Sequence, residues 1–349
     1  MSPIISRISS AGIINSTSGF NVGRRRGLGK LYDFISHTFT NATAQGTIGP
    51  TLTQCRTAYS EASWAQNDSF FTMSNDDGVQ KWTVPATGSY RITAAGAQGG
   101  SGKWTTYYGG RGRIMVATIT LTEAEILSII VGQRGGYIDN SGQGSSGGGG
   151  GSFVFRTSGS RTTSNIIVVG GGGGGGGGNS SAVNGRDGVT TSNGGANSSG
   201  SAGGTNGAGG PGYSGGGGGA GITSNGGNGA DTAAGGISIS GTARGGRGGS
   251  CAASQTQTNG GRNFGSLGQD QGGFGGGGGG EWCVQGSVGG GGGYSGGAGN
   301  STSSGVGGGG GSFVGNGATL VSDTGLNGTT TTGTIFNNSH GYVTIEFLG

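Results

Sequence analysis

Between Tyr32 and Val169 apolar and polar positions alternate in short bursts. In the longest, Arg113–Leu121, Met115, Ala117, Ile119 and Leu121 take one side and Ile114, Val116, Thr118 and Thr120 the other, the two-residue period of a strand. Further strands are predicted at 34–40, 81–84, 89–95, 125–131, 152–156 and 165–169, mostly rich in β-branched or aromatic residues and bounded by Gly, Pro or Asn. One stretch follows the helical spacing instead. Leu52, Cys55, Ala58, Tyr59 and Ala62 share a face, and Thr51 with Gln54 forms a capping box, so a short helix is predicted to about Ser63. Strands return at 318–322 and 341–348, where Val343, Ile345 and Phe347 fall on one side. Strands thus bracket everything between. The economical topology is an antiparallel β-sandwich whose last strand lies beside the early ones.

What they bracket is mostly glycine. Of 349 residues 97 are Gly, and only nine precede Gly96. Six uninterrupted runs stand out, at 147–151, 170–178, 215–219, 275–280, 289–293 and 307–311. A flexible linker is the ordinary reading of such composition. Against it, Gly-Ser-Phe-Val recurs at 151–154 and 311–314, and Gly-Tyr-Ser-Gly-Gly at 212–216 and 293–297. A linker has no use for aromatic residues at repeated positions. The ordered alternative is polyglycine II, an extended helix of three residues per turn rising ~3.1 Å per residue without internal hydrogen bonds. Such rods must bond to one another, and only a chain without Cβ atoms permits that approach on several sides. Ordering each residue costs ~1–2 kcal/mol, which hydrogen bonds contributing about 1 kcal/mol net can offset only within a bundle. The expected division is an arm at 1–30, a sandwich with one short helix at 31–141 plus 312–349, and a glycine-rich insertion at 142–311.

Charge singles out the arm. Arg7, Arg24, Arg25, Arg26 and Lys30 give residues 1–30 a charge of +5, and the rest of the chain carries −1. Arg24, Arg25, Arg26 and Lys30 are therefore the expected anchor to a partner, with a solvated basic tail as the alternative. The apolar start is interrupted by Arg7 and several serines, so no secretory signal is expected, and no run of ~20 apolar residues predicts a membrane span. Cys55, Cys251 and Cys283 are too scattered for a disulfide framework; Cys251 and Cys283 pair or stay isolated.

Convergent titratable groups are few. His37 and His340 sit in or beside strands and read as structural; Asp76–Asp77 and Glu123/Glu125 fall in turns. Neither a zinc spacing nor a phosphate-binding Gly-x-x-x-x-Gly-Lys motif is present. No catalysis, metal or cofactor is expected. Arg244-Gly-Gly-Arg247-Gly-Gly raises RNA binding by charge and stacking, but the neutral body disfavours it, and two arginines on a loop between rods is the preferred reading. Aromatic residues are the stronger binding signal. Tyr213, Trp282 and Tyr294 adjoin glycine runs, and Trp104, Tyr107 and Tyr108 cluster in a loop. They either contact a receptor or cap the glycine bundle. Specificity is expected in the Asn/Ser/Thr-rich segments 179–206, 222–271, 281–288 and 300–306.

Two resemblances add to this. Gly-Gly-Phe at 272–274, the run 275–280, Glu-Trp-Cys-Val-Gln-Gly-Ser-Val at 281–288, and the run 289–293 followed by Tyr-Ser-Gly-Gly at 294–297 resemble the extracellular glycine-rich region of anaplastic lymphoma kinase-type receptors. That resemblance implies a polyglycine bundle inserted in a TNF-like jelly-roll; with no kinase segment or membrane span read in the sequence, receptor signalling is not expected to carry over. Separately, Tyr32-Asp-Phe, Thr38-Phe-Thr-Asn41, Gly49-Pro-Thr-Leu52, Trp82-Thr-Val-Pro85 and Gly96-Ala-Gln-Gly99, with the Arg-rich leader, resemble virion structural proteins of tailed marine cyanobacterial phages. This implies a tail-fibre or surface-fibre adhesin on the virion surface, released by lysis. Its partners would be other virion proteins, through the arm, and a host-surface glycan or protein, with a homo-oligomer such as a trimer as the assembly. The competing expectation is a capsid or tail decoration protein without a receptor.

Overall fold

The computed structural model describes residues 29–349 apart from 74–77, 103–107, 141–142, 158, 178–183, 230–232, 248–269, 282–286, 302–304, 316 and 326–339. The fold is mostly β. Its strands are β1 Ser36–Phe39, β2 Phe71–Met73, β3 Gln80–Thr83, β4 Gly88–Ala95, β5 Arg113–Leu121, β6 Ile126–Ile130, β7 Tyr137–Asn140 and β8 Gln143–Ser146. They continue with β9 Ser152–Phe155, β10 Ile166–Gly170, β11 Ser287–Val288, β12 Asn300–Ser301, β13 Phe313–Val314, β14 Thr319–Gly325 and β15 Tyr342–Phe347. One sheet runs β1-β15-β4-β5-β14, a second β13-β10-β9-β6-β3-β2, and a small third β12-β11-β8-β7. Pairing in the two larger sheets is antiparallel, and the last strand lies between β1 and β4 as its sequence position suggested.

The alternation in β5 places Met115, Ala117, Ile119 and Leu121 inward. They join Ile92 and Ala94 of β4, Val343 and Ile345 of β15, and Trp82, Leu127, Ile129, Val154 and Val168 from the second sheet in one core. The second sheet is buried on its other face as well. There Ile130, Phe153, Phe155, Ile166 and Val169 pack with Ile222, Ile239 and Phe274 from the glycine-rich part. Two covered faces explain why 166–169 reads Ile-Ile-Val-Val rather than alternating.

The only α-helix among the described residues is α1, Leu52–Ala58. Its capping box forms: Gln54 N–H donates to Thr51 Oγ1 at 3.2 Å, and Thr51 N–H to Gln54 Oε1 at 2.9 Å. The helix ends five residues before the predicted boundary. Tyr59 leaves helical geometry (φ −109°, ψ 30°), its ring is buried, and its hydroxyl bonds to Gln80 Oε1 at 2.9 Å. Ala58 consequently faces solvent, and a separate 3-10 turn, Ser63–Gln66, seats Trp64 in the core. The core claimed these rings, and helix continuity yielded.

Most of the described glycine segments bond to other segments, whereas Gly275 and Gly276 form a turn at positive φ (+95° and +86°). In the run beginning at Gly170 the donors repeat every third residue. Gly172 and Gly175 donate to Gly292 and Gly289 (2.8 Å each), Gly173 and Gly176 to Ala97 and Gly100 (2.9 and 3.0 Å), and Gly174 to Arg186 (2.9 Å). The acceptors repeat likewise. Gly171 and Gly174 accept from Arg113 and Gly110 (2.8 Å each), Gly172 and Gly175 from Gly310 and Gly307 (2.7 and 3.0 Å), and Gly173 from Gly149 (2.8 Å). One run therefore bonds to six surrounding segments. The runs at 217–219 and 289–292 sit in similar surroundings, with Gly218 donating to Gly227 and accepting from Gly236, and Gly291 donating to Gly308 and accepting from Gly297. Segments 97–100, 110–113 and 132–136 belong to the same array although they precede residue 142.

Candidate binding site

Tyr213 opens a tight turn in which its backbone and that of Gly216 bond reciprocally at 2.9 Å, with Ser214 at φ +43°. The turn leaves Tyr213 45% exposed. Tyr294 does the reverse. Its ring stacks on Phe313 (centroids 4.4 Å apart, planes at 24°) against the second core, so it closes the glycine array rather than facing outward. No ring contact among the described residues joins it to Tyr213. Tyr108 is half-buried, and its N–H donates to Asn184 Oδ1 at 3.0 Å. Trp104, Tyr107 and Trp282 lie outside the described residues, as do Arg24, Arg25, Arg26, Cys251 and Cys283. Lys30 is exposed, with its ammonium 4.8 Å from the centroid of the Phe347 ring of β15.

A groove of about 730 Å³ gathers residues that the aromatic signal did not include. One wall is the loop Gln45, Thr47 and Ile48. It is fixed by Phe274 N–H to Gly46 O (2.7 Å), Gly245 N–H to Thr47 O (3.1 Å) and Gln133 Nε2 to Ile48 O (3.0 Å). The other wall carries Arg244 and Arg247, with Gln271 at the edge. The arginine–glycine motif was visible in the sequence, but the loop across from it was not, because it is two hundred residues distant. Among the described residues no group of three or more His, Cys, Asp or Glu is placed to hold a metal ion, and no helix is long and apolar enough to cross a membrane.

The buried titratable groups lie elsewhere. The His37 ring packs edge-on against Phe39, Tyr59 and Trp64, and burial pushes it down to about 4. His340 accepts from Arg134 N–H at 3.2 Å; burial, and then the Arg134 charge, push it to about 4 as well. Burial raises the Asp270 carboxyl well above its usual range; Ser145 Oγ, donating at 3.2 Å, opposes this, and Glu281 adds to it. Both histidines have a folded pKa below the unfolded value of about 6.5, so the unfolded chain takes up their protons first. Their contribution to stability is complete above pH 6.5 and is lost as pH falls from 6.5 to 4. The melting temperature should drop across that window, and His37→Gln/His340→Gln should flatten the drop. An unchanged slope in the double variant would show that other groups govern it.

No protein-family model matches the chain. A stretch of 97 residues is 38% identical to leukocyte tyrosine kinase receptor of Mus musculus, which amounts to 28% of this chain and 11% of that protein. The chain thus spans about a tenth of the length of that relative, and the similarity is to one segment of it.

Proposed function

We propose that the chain is a bacteriophage virion structural protein, a tail-fibre or surface-fibre adhesin that catalyses no reaction. In this reading a TNF-like jelly-roll sandwich carries a polyglycine II bundle, and the bundle holds recognition loops outward on a rigid base. The observation that carries it is the three-residue period of hydrogen bonds joining one glycine run to six neighbours. Rods of glycine have no side chains with which to discriminate, so their use is to position the segments between them. Tyr213, held out by a two-bond turn, is one such presented group. The arm from Arg24 to Lys30 would join other virion proteins, and the fold would assemble as a homo-oligomer.

The test uses antibody fragments raised against the purified chain. They should label fibre tips on intact particles and reduce adsorption to host cells by at least about tenfold. Labelling on the head or tail shaft without an effect on adsorption would replace the adhesin by a decoration protein. Unlabelled particles would remove the virion assignment.

A further inference from the structure

We propose that the groove between Gln45–Thr47–Ile48 and Arg244–Arg247 binds an acidic saccharide, whose carboxylate or sulfate is held by the two arginines. This deepens the adhesin reading and rests on it. The spacing supplies the first reason. In an extended helix of three residues per turn, residues three apart project on the same side, here roughly 9 Å apart along the axis. The backbone of this segment follows that period: Ile237 N–H donates to Arg244 O at 2.9 Å and Ala234 N–H to Arg247 O at 3.0 Å. The two glycines between, which also line the groove, are held by their backbones. Gly245 N–H meets Thr47 O at 3.1 Å and Gly246 N–H meets Gly277 O at 2.7 Å. A methyl group on either would overlap the carbonyl of Gly272 or Ala234. Side chains are thus admitted only at 244 and 247, and both line the groove.

The second reason is charge without a counter-charge. Arg56, Arg91, Arg111 and Arg156 each meet a carboxylate, whereas among the described residues Arg244 and Arg247, like Arg113 and Arg186, meet none. Arg244 Nε is buried and has no hydrogen-bond partner. Among the described residues no acid lines the groove. A planar guanidinium fork in that condition suits a two-oxygen anion. Around it Gln45, Thr47 and Gln271 offer amide and hydroxyl groups for sugar hydroxyls, and Ile48 an apolar surface for the ring face. The volume falls in the range of small-ligand sites. Nucleic acid fits less well: among the described residues no aromatic side chain lines the groove for base stacking, and the chain after residue 30 carries −1.

The full-length chain would be tested for binding to polygalacturonate, a carboxylate polymer, to dextran sulfate, and to uncharged dextran. Binding to at least one anionic polymer and not to dextran is expected, and which one binds identifies the anion. Arg244→Gln/Arg247→Gln should weaken it by at least about tenfold, while Arg24→Gln/Arg25→Gln/Arg26→Gln, which removes charge of the arm, should leave it within about twofold. Should the groove variant also lower the melting temperature, Ile48→Trp decides. That exposed position accepts a bulky ring, which should block the groove without changing stability. No binding to either polymer, or binding that both groove variants leave intact, overturns the proposal. Single-stranded RNA binding lost in the same variants would overturn it in favour of nucleic acid. If the antibody fragments block adsorption but the anionic polymers neither bind nor compete, the adhesin reading stands and the groove assignment falls.

Discussion

Gly173→Ala should destabilise the protein by roughly 3 kcal/mol or more, a large effect for one methyl group. The residue lies near the middle of a run enclosed on six sides. Its N–H donates to Ala97 at 2.9 Å and its carbonyl accepts from Gly149 at 2.8 Å. A Cβ there would overlap the carbonyl of Gly110 and press on Arg111 N, both backbone atoms of a neighbouring segment that is itself bonded on other sides. Nothing flexible is available to move aside. Either the rods separate, losing several hydrogen bonds at about 1 kcal/mol each, or strain spreads through the array. Gly159→Ala is the matched control: that glycine is exposed, a Cβ on it would meet only Thr157 Oγ1 at 3.8 Å, and it does not have positive φ. It should be neutral or stabilising by a few tenths of a kcal/mol, by restricting the unfolded chain. Chemical denaturation of both variants gives the comparison. Equal stability of the two would mean that the run at 170 is not enclosed as described.

The amides of Gly172 to Gly176 should exchange with solvent roughly ten-thousand-fold more slowly than in a random coil. All five are bonded, at 2.8 to 3.0 Å, to other segments, the nearest in sequence being that of Arg186. Opening any one of them requires several rods to part, so their exchange reports sub-global or global opening, which for ordinary domains costs about 5 kcal/mol or more. Isolated polyglycine would show no such protection, because an extended helix of this kind has no internal hydrogen bonds. Mass-spectrometric exchange on peptides covering the run separates the two outcomes. Random-coil rates there would return the glycine-rich part to a linker and remove the rigid base that the adhesin reading needs.

Much of the framework was legible without coordinates, because side-chain period and turn chemistry are local. The strand at Arg113–Leu121 has the predicted bounds, and the Thr51–Gln54 capping box forms as its residues imply. The helix end was not legible: Tyr59 and Trp64 were drawn into a core assembled from strands far along the chain. The glycine-rich part marks the limit more sharply. Repeated cues beside the runs separated an ordered element from a linker, yet a residue without a side chain carries no label for its neighbours. Which run lies beside which is set by backbone hydrogen bonds and by where the flanking strands deliver each run. That delivery made the bonds between Gly172 and Gly292 possible across 120 positions. The aromatic residues divide for the same reason. Tyr213 and Tyr294 share the motif Gly-Tyr-Ser-Gly-Gly, and only packing against Phe313 distinguishes the half-buried, stacked ring from the presented one. Arg244 and Arg247 were three apart in the sequence from the start. The groove exists because folding set the Gln45–Ile48 loop opposite them, a long-range placement that no local pattern encodes.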